Sequence, residues 1–365
     1  MTLPPPEPSE PWPPQPSEPW PPRPAQPGRR SSGGIRAVVI GACVVVVVAA
    51  VTVGVTKVAV PSDLAPPPGV SSEPPIGTFS HHPVVITLPA HPASYLGIFA
   101  KGVPDSYAPI ASVANATGVR PNIALYYSGR YEKFRSIFAV QVKDNGAVPF
   151  IQMEPSNINL AAIASGAFDT YLETFATDVA NYGARTGQGV IIGFGHEMNG
   201  YWYSWAHRHT SPAVFVAAWR HVVNVFRQQG ADDVTWLWTV NIIDRSGGIP
   251  SPAPWWPGSS YVTWVGVDGY YFKPSWTFAS LFGPTINAVR TLSRTPVPIL
   301  ISETGVAPAA GKPAKIADLF AGVRAYGLLG LVWFNADRRR DWRLNSQAAV
   351  AAFAEGAKTF RKPAS

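Results

Sequence analysis

The sequence predicts an α/β protein, a (β/α)₈ TIM barrel preceded by a disordered Pro-rich tail and one transmembrane helix. Three observations carry this expectation. Eight short, continuously apolar runs recur along the C-terminal three quarters of the chain, and most are separated by longer stretches with helical spacing. Strands that are apolar on both faces and alternate with helices belong to a parallel sheet buried on both sides, and eight of them over roughly 270 residues suit one closed barrel. Further upstream lies a single 20-residue run without charge, Ala37 to Thr56, which as a helix matches the hydrocarbon thickness of a bilayer.

Residues 1–34 are rich in Pro, with Glu, Ser and Trp, and lack the aliphatic residues that a core needs. They contain a direct repeat, Ser9-Glu10-Pro11-Trp12-Pro13-Pro14 and Ser17-Glu18-Pro19-Trp20-Pro21-Pro22, which favours extended polyproline II and offers a cytosolic partner a surface of Pro and Trp. Residues 35–60 form the expected membrane anchor. Arg23, Arg29, Arg30 and Arg36 precede it and only Lys57 follows closely, so the N-terminus is expected in the cytoplasm and the remainder outside, at the cell membrane. The apolar run exceeds a signal-peptide core and has no clean small-x-small cleavage site, which favours an uncleaved anchor. Residues 61–90 are a Pro/Ser-rich spacer, and residues 91–362 are the expected catalytic barrel. The lone cysteine, Cys43, falls inside the apolar run, so the barrel holds no disulfide and must rely on its core.

The expected strands are Tyr95–Phe99, Ile123–Tyr126, Val148–Met153, Val190–Phe194, Val234–Thr239, Trp264–Val267, Ile299–Ser302 and Leu329–Phe334. The plainest helix runs from Pro212 to Gln229, with Ser211 as N-cap, Pro212 in the first turn and Gly230 at the end. Its Phe215, Trp219, Val222, Val223 and Phe226 fall on one face. Glu173, Phe175 and Val179 mark another helix, and Ser346 to Lys358 closes the series. An open doubly wound sheet would carry a glycine fingerprint after its first strand, and Gly97 to Gly102 supplies none; no cofactor is expected. The formal charge of +7 comes from scattered Lys and Arg, so nucleic acid is not an expected partner. Only Arg338-Arg339-Arg340 forms a run, expected to be a solvated loop on the barrel rim.

In such a barrel the chemistry sits at the carboxyl ends of the strands. Those ends read Met153-Glu154, Gly195-His196-Glu197-Met198-Asn199-Gly200-Tyr201-Trp202, Thr239-Val240-Asn241, Asp268-Gly269-Tyr270-Tyr271, Ser302-Glu303-Thr304-Gly305 and Trp333-Phe334-Asn335. Carboxylates, amides and aromatics converge on one rim, which is the lining a sugar site needs. Hydrolysis of a glycosidic bond uses two carboxyl groups flanking it, about 5–5.5 Å apart when configuration is retained. Strands four and seven face each other across the mouth, and Glu197 and Glu303 satisfy this placement. His196-Glu197 also invites a zinc-binding helix, but the second histidine of that motif falls on Gly200, so no metal is expected.

His196-Glu197-Met198-Asn199-Gly200 followed by Trp202, together with Glu303-Thr304-Gly305, resemble the signatures of glycoside hydrolase family 26, a family of β-mannanases with some β-glucanases and xylanases. The resemblance spans about Tyr95 to Phe353. It implies that Glu197 is the acid/base and Glu303 the nucleophile of a retaining glycosidase acting on a β-linked polysaccharide. It also implies that His196 hydrogen-bonds near the nucleophile or substrate, that Trp202 shapes the subsite at the cleavage point, that Tyr270 positions the nucleophile, and that Trp333 forms a sugar-stacking floor. Asn241 and Glu154 are further candidates for substrate contact. Two positions depart from the family's mannanases: Gly193 stands where they usually carry arginine, and Met153-Glu154 where they often carry histidine. These departures leave open a non-catalytic carbohydrate-binding surface protein, and the expected membrane tether leaves open an envelope transglycosylase.

Overall fold

A computed structural model describes residues 88–244 and 248–360. Eight parallel strands close into a barrel in sequence order. They are β1 (Tyr95–Pro104), β2 (Ile123–Ser128), β3 (Val148–Met153), β4 (Val190–Phe194), β5 (Val234–Asn241), β6 (Trp264–Tyr271), β7 (Ile299–Val306) and β8 (Gly330–Asn335), and β8 closes on β1 over six register pairs. Around them lie α1 (Ala108–Thr117), α2 (Ser136–Asp144), α3 (Leu160–Ala164), α4 (Asp169–Thr186), α5 (Pro212–Gln228), α6 (Phe278–Leu281), α7 (Gly283–Arg290), α8 (Lys312–Ala325) and α9 (Gln347–Lys358). Between β5 and β6 the described residues form two short 3₁₀ turns. A two-stranded hairpin, β9 (Asp337–Arg338) and β10 (Arg340–Asp341), follows β8.

The helix boundaries follow local chemistry. Ser211 caps α5 by accepting from the Val214 amide, Pro212 occupies its first turn, and Phe215, Trp219, Val222, Val223 and Phe226 are buried on its inner face. Ser346 caps α9 in the same way through the Ala349 amide. Glycines at positive φ end α1 (Gly118) and α4 (Gly187), where a side chain would be strained.

Period-two alternation sorts each strand into an outward layer facing helices and an inward layer facing the barrel axis. On β5, Trp236 packs outward on Trp219 and Phe226 of α5, and Trp238 on Trp256, so Thr239 and Asn241 face inward. Six strands run further than the apolar runs suggest, and three of these extensions matter for the site: β5 reaches Asn241, β6 reaches Tyr271 and β7 reaches Val306. Asn241, Asp268, Tyr270 and Glu303 therefore stand on strand tips rather than loops. The β6–β7 register shifts between Gly266 and Asp268, placing one extra residue on β7 before Glu303. This bulge lets the consecutive Ser302 and Glu303 both reach partners of the inner face.

Among the described residues no helix is long and apolar enough to cross a membrane. The expected tail with its Pro-Trp repeat, the anchor Ala37–Thr56 and nearly all of the spacer lie outside the described residues.

Candidate active site

Glu197 stands just past the tip of β4 on backbone bent by two left-handed residues, Gly195 (φ 56°) and Glu197 itself (φ 54°). A non-glycine residue held there is strained, and such strain concentrates at functional sites. Its surroundings hold the bend: the Gly195 amide donates to Met153 O (2.9 Å), the Glu197 amide to Thr239 O (2.9 Å), and the Trp205 indole to His196 O (2.8 Å). The carboxyl group is buried and accepts on both oxygens, from Trp202 Nε1 at 2.8 Å and from Asn241 Nδ2 at 2.5 Å. Asn241 is fixed in turn by Asn199, which accepts from its amide and donates to its carbonyl, both at 2.9 Å.

Glu303, half-buried on the β7 tip, accepts from the hydroxyls of Tyr270 and Tyr127, one on each oxygen. Asp268 sits beside it in the β6–β7 register and beside Asn241 in the β5–β6 register. Partners of both glutamates thus lie on one continuous row of strand tips. Asp268 is fully buried; one oxygen accepts from Ser302 Oγ at 2.5 Å and the other has no hydrogen-bond partner among the described residues.

Burial pushes the Glu197 carboxyl up to about 8, and the charge of Glu303 adds to the rise; the Asn241 and Trp202 bonds and Arg338 act against it. Burial raises Glu303 as well, but the two tyrosine hydroxyls and Arg338 pull it back. Asp268 is held well above the carboxylate range by burial, then by Glu303 and Glu197. The arrangement separates the carboxyls chemically: Glu197 is held protonated at neutral pH, whereas the two tyrosine hydroxyls favour the anion of Glu303.

The other expected site residues gather around the two glutamates, Trp333 excepted. His196 is buried against the ring of Tyr127 (5.6 Å), with Nε2 3.1 Å from the Tyr203 hydroxyl and 3.9 Å from Glu154 Oε1. Burial and then Arg338 lower it to about 3, so it is neutral. Glu154 is raised to about 7 by burial, with Arg338 opposing and Glu303 reinforcing the shift. Asn241 holds the acid/base candidate, a role distinct from substrate contact. Trp333 is the exception. It is fully buried on the outer side of β8 against Phe353 of α9 (5.7 Å), with its indole donating to Trp342 O (3.1 Å). It cannot be a stacking floor, because the inward position on that strand belongs to Phe334, stacked on Phe99 at 4.6 Å. On the mouth side, Trp342 packs on Tyr270 at 4.5 Å.

A side chain at position 193 would displace Gln152: a Cβ on Gly193 would lie 2.0 Å from Gln152 Oε1. The Gln152 side chain crosses that gap to donate to Thr239 Oγ1 at 3.0 Å. Three residues of the site were not evident as such in the sequence. Tyr127 lies one residue beyond the apolar run of β2. Asn199 was legible only as part of a motif. Arg338, taken as part of a solvated rim loop, is half-buried on β9 and biases the charge of Glu154, His196, Glu197 and Glu303.

Residues 160–296 match the model of glycosyl hydrolase family 26. The matched segment includes Glu197 and ends short of Glu303. Endoglucanase H of Acetivibrio thermocellus is 32% identical over 233 residues, which are 60% of this chain but only 25% of that protein, so the chain spans about a quarter of its relative's length. Among solved structures, the family 26 β-mannanase BoMan26A of Bacteroides ovatus superposes with a TM-score of 0.55 at 15% identity, over 73% of this chain and 89% of that one. A double mutant of the Cellulomonas fimi endo-β-1,4-mannanase gives a TM-score of 0.57 at 17% identity, over 73% and 71% of the two chains. At these identities the likeness shows a shared barrel fold.

Proposed function

We propose that this chain is a family 26 retaining glycoside hydrolase that cleaves a mannan- or glucan-like β-linked polysaccharide, with Glu197 as general acid/base and Glu303 as nucleophile. One observation carries the reading: two carboxyl groups at the ends of β4 and β7, Glu197 buried and Glu303 half-buried, are held by different donors that drive their protonation apart. Protonated Glu197 gives its proton to the leaving-group oxygen while ionised Glu303 attacks the anomeric carbon; Glu197 then takes a proton from the water that hydrolyses the glycosyl-enzyme. The indole of Trp202 and the amide of Asn241 hold Glu197, and the two tyrosines hold Glu303. The family match and the relative named an endoglucanase support the reaction class; mannanases and an endoglucanase among the relatives leave two backbones in view.

The test is release of reducing ends from mannan, glucan and xylan by the full chain and by Glu303→Ala. We expect activity on at least one polymer that the variant lacks; an unchanged rate in Glu303→Ala would overturn the assignment. The apolar run Ala37–Thr56, flanked by arginines on its N-terminal side, supports a cell-membrane anchor with the barrel outside. Protease added to intact cells should then degrade the barrel, and its protection would refute that orientation.

A further inference from the structure

A large aromatic side chain stands exposed at the same end of the barrel as the two glutamates. Tyr131, in the loop after β2, is 55% exposed. It holds the third position of the turn Gly129-Arg130-Tyr131-Glu132, which the Glu132 amide closes by donating to Gly129 O at 3.1 Å. Its backbone is left-handed (φ 63°), at a turn position that ordinarily goes to Gly or Asn. A tyrosine kept there is strained while burying little of its ring, and such strain points to a use for the side chain. The turn is tied down from two sides. Glu132 accepts from the Gly129 amide at 3.2 Å, and the Tyr171 hydroxyl of α4 donates to Glu132 O at 3.0 Å. The Tyr131 ring lies nearly parallel to Phe168, at 5.8 Å and 23°, and edge-on to Tyr171 at 5.7 Å.

These rings are continuous with the catalytic mouth. One cavity has Arg130, Phe168 and Tyr171 in its wall together with Ser128 and Glu154, at the tips of β2 and β3. Glu154 Oε1 lies 3.9 Å from Nε2 of His196, the neighbour of the acid/base in the chain. The surroundings of Tyr131 also suit a polar ligand. The Arg130 guanidinium lies over the ring at 5.3 Å; it is itself exposed, so it can give way to a ligand and meet its hydroxyls. Lys133 is exposed as well, and among the described residues Ile137 is the other large apolar side chain left in water. A single ring among charged groups falls short of the several hundred Å² of contiguous apolar surface that marks a protein contact. It matches a pyranose, which has an apolar C–H face and a rim of hydroxyls.

We propose that Tyr131, backed by Phe168, is a stacking platform for an outlying ring of the bound polysaccharide, on the β2–β3 side of the mouth. The inference rests on the glycosidase reading above and adds to it a binding subsite outside the catalytic pair. The left-handed turn turns the ring out into water, and the two aromatic neighbours fix its plane before a sugar arrives, which lowers the entropy lost on binding.

The test measures binding calorimetrically, with the full chain carrying Glu303→Ala, so that the outcome is independent of turnover. The probes are β-linked manno- and gluco-hexasaccharides. For whichever backbone binds, adding Tyr131→Gly should weaken binding about fivefold or more, as loss of an aromatic anchor does. Tyr131→Phe keeps the ring and should bind like its parent, and Ile137→Ser, which removes the other exposed apolar side chain, should change nothing. The melting temperature of Tyr131→Gly should hold or rise, because glycine suits the left-handed turn, so the loss of affinity is not a loss of fold. Binding of neither hexasaccharide, or an equal loss in Tyr131→Phe or Ile137→Ser, would overturn the proposal. Affinity unchanged in Tyr131→Gly would overturn it too and leave the ring to a protein contact. Loss of the glycosidase reading shows separately, as failure of the unsubstituted chain to release reducing ends from any polymer.

Discussion

Each catalytic candidate owes its ionisation to a few neighbours, and pH dependence should report them individually. Glu197 must be protonated to act as acid, so kcat/KM should fall as pH rises through about 8. Glu303 must be ionised, and burial sets its acid limb above the ordinary carboxyl value of 4.5. Because the hydroxyls of Tyr127 and Tyr270 lower Glu303, Tyr127→Phe and Tyr270→Phe should each move the acid limb to higher pH and leave the alkaline limb in place. A pH–rate profile checks both limbs, and an acid limb unmoved in both variants would contradict the assignment. Replacing Glu197 with Ala should cost about 10²–10⁴-fold on polysaccharide, the usual contribution of a general acid. Much less should be lost on aryl glycosides whose leaving group needs no proton. At this scale the sequence was informative for Glu197, whose neighbours in the chain form a compact motif. It was silent about Tyr127, which reaches Glu303 from a strand 176 residues away.

Strand geometry decides which side chain faces the chemistry. Trp333 illustrates the limit of reading strand tips by position: one residue along β8 exchanges the mouth for the helix layer. Trp333→Ala should therefore lower stability by about 3–5 kcal/mol in denaturant unfolding, as loss of a buried indole does. KM of the folded fraction should stay unchanged; a raised KM at wild-type stability would show that the ring meets substrate. Gly193→Ala forces a methyl group into Gln152 and should destabilise by about 1–3 kcal/mol. The eight strands were legible because each is apolar on both faces, and α5 because its caps and spacing agree. The basic hairpin was not. A run of three arginines looks like solvated surface until tertiary anchoring by Lys312 and Trp342 brings it to the mouth.

For the whole molecule, a barrel mouth holding Glu197 and Asp268 above their ordinary values stores a dependence of stability on pH. A carboxyl whose folded value is raised contributes stability below its unfolded value and loses it as pH rises through the folded one. The melting temperature should thus decline between about pH 4.5 and pH 8. Asp268→Asn, which keeps an acceptor for Ser302 without a titrating group, should flatten that decline by several degrees, ~2–4 °C for each kcal/mol regained. Scanning calorimetry across pH checks this, and parallel curves for the two proteins would contradict it. The barrel was legible from the number and order of apolar runs. The way its parts combine into one site was not, since the partners of Glu197 and Glu303 come from β2, β5, β6 and the loop after β4.

The most direct measurement is trapping with a 2-fluoro glycoside carrying a good leaving group, followed by peptide mass spectrometry. One fluoroglycosyl adduct per chain is expected, on the side chain of Glu303. An adduct on Glu197, Glu154 or Asp268 instead would contradict it.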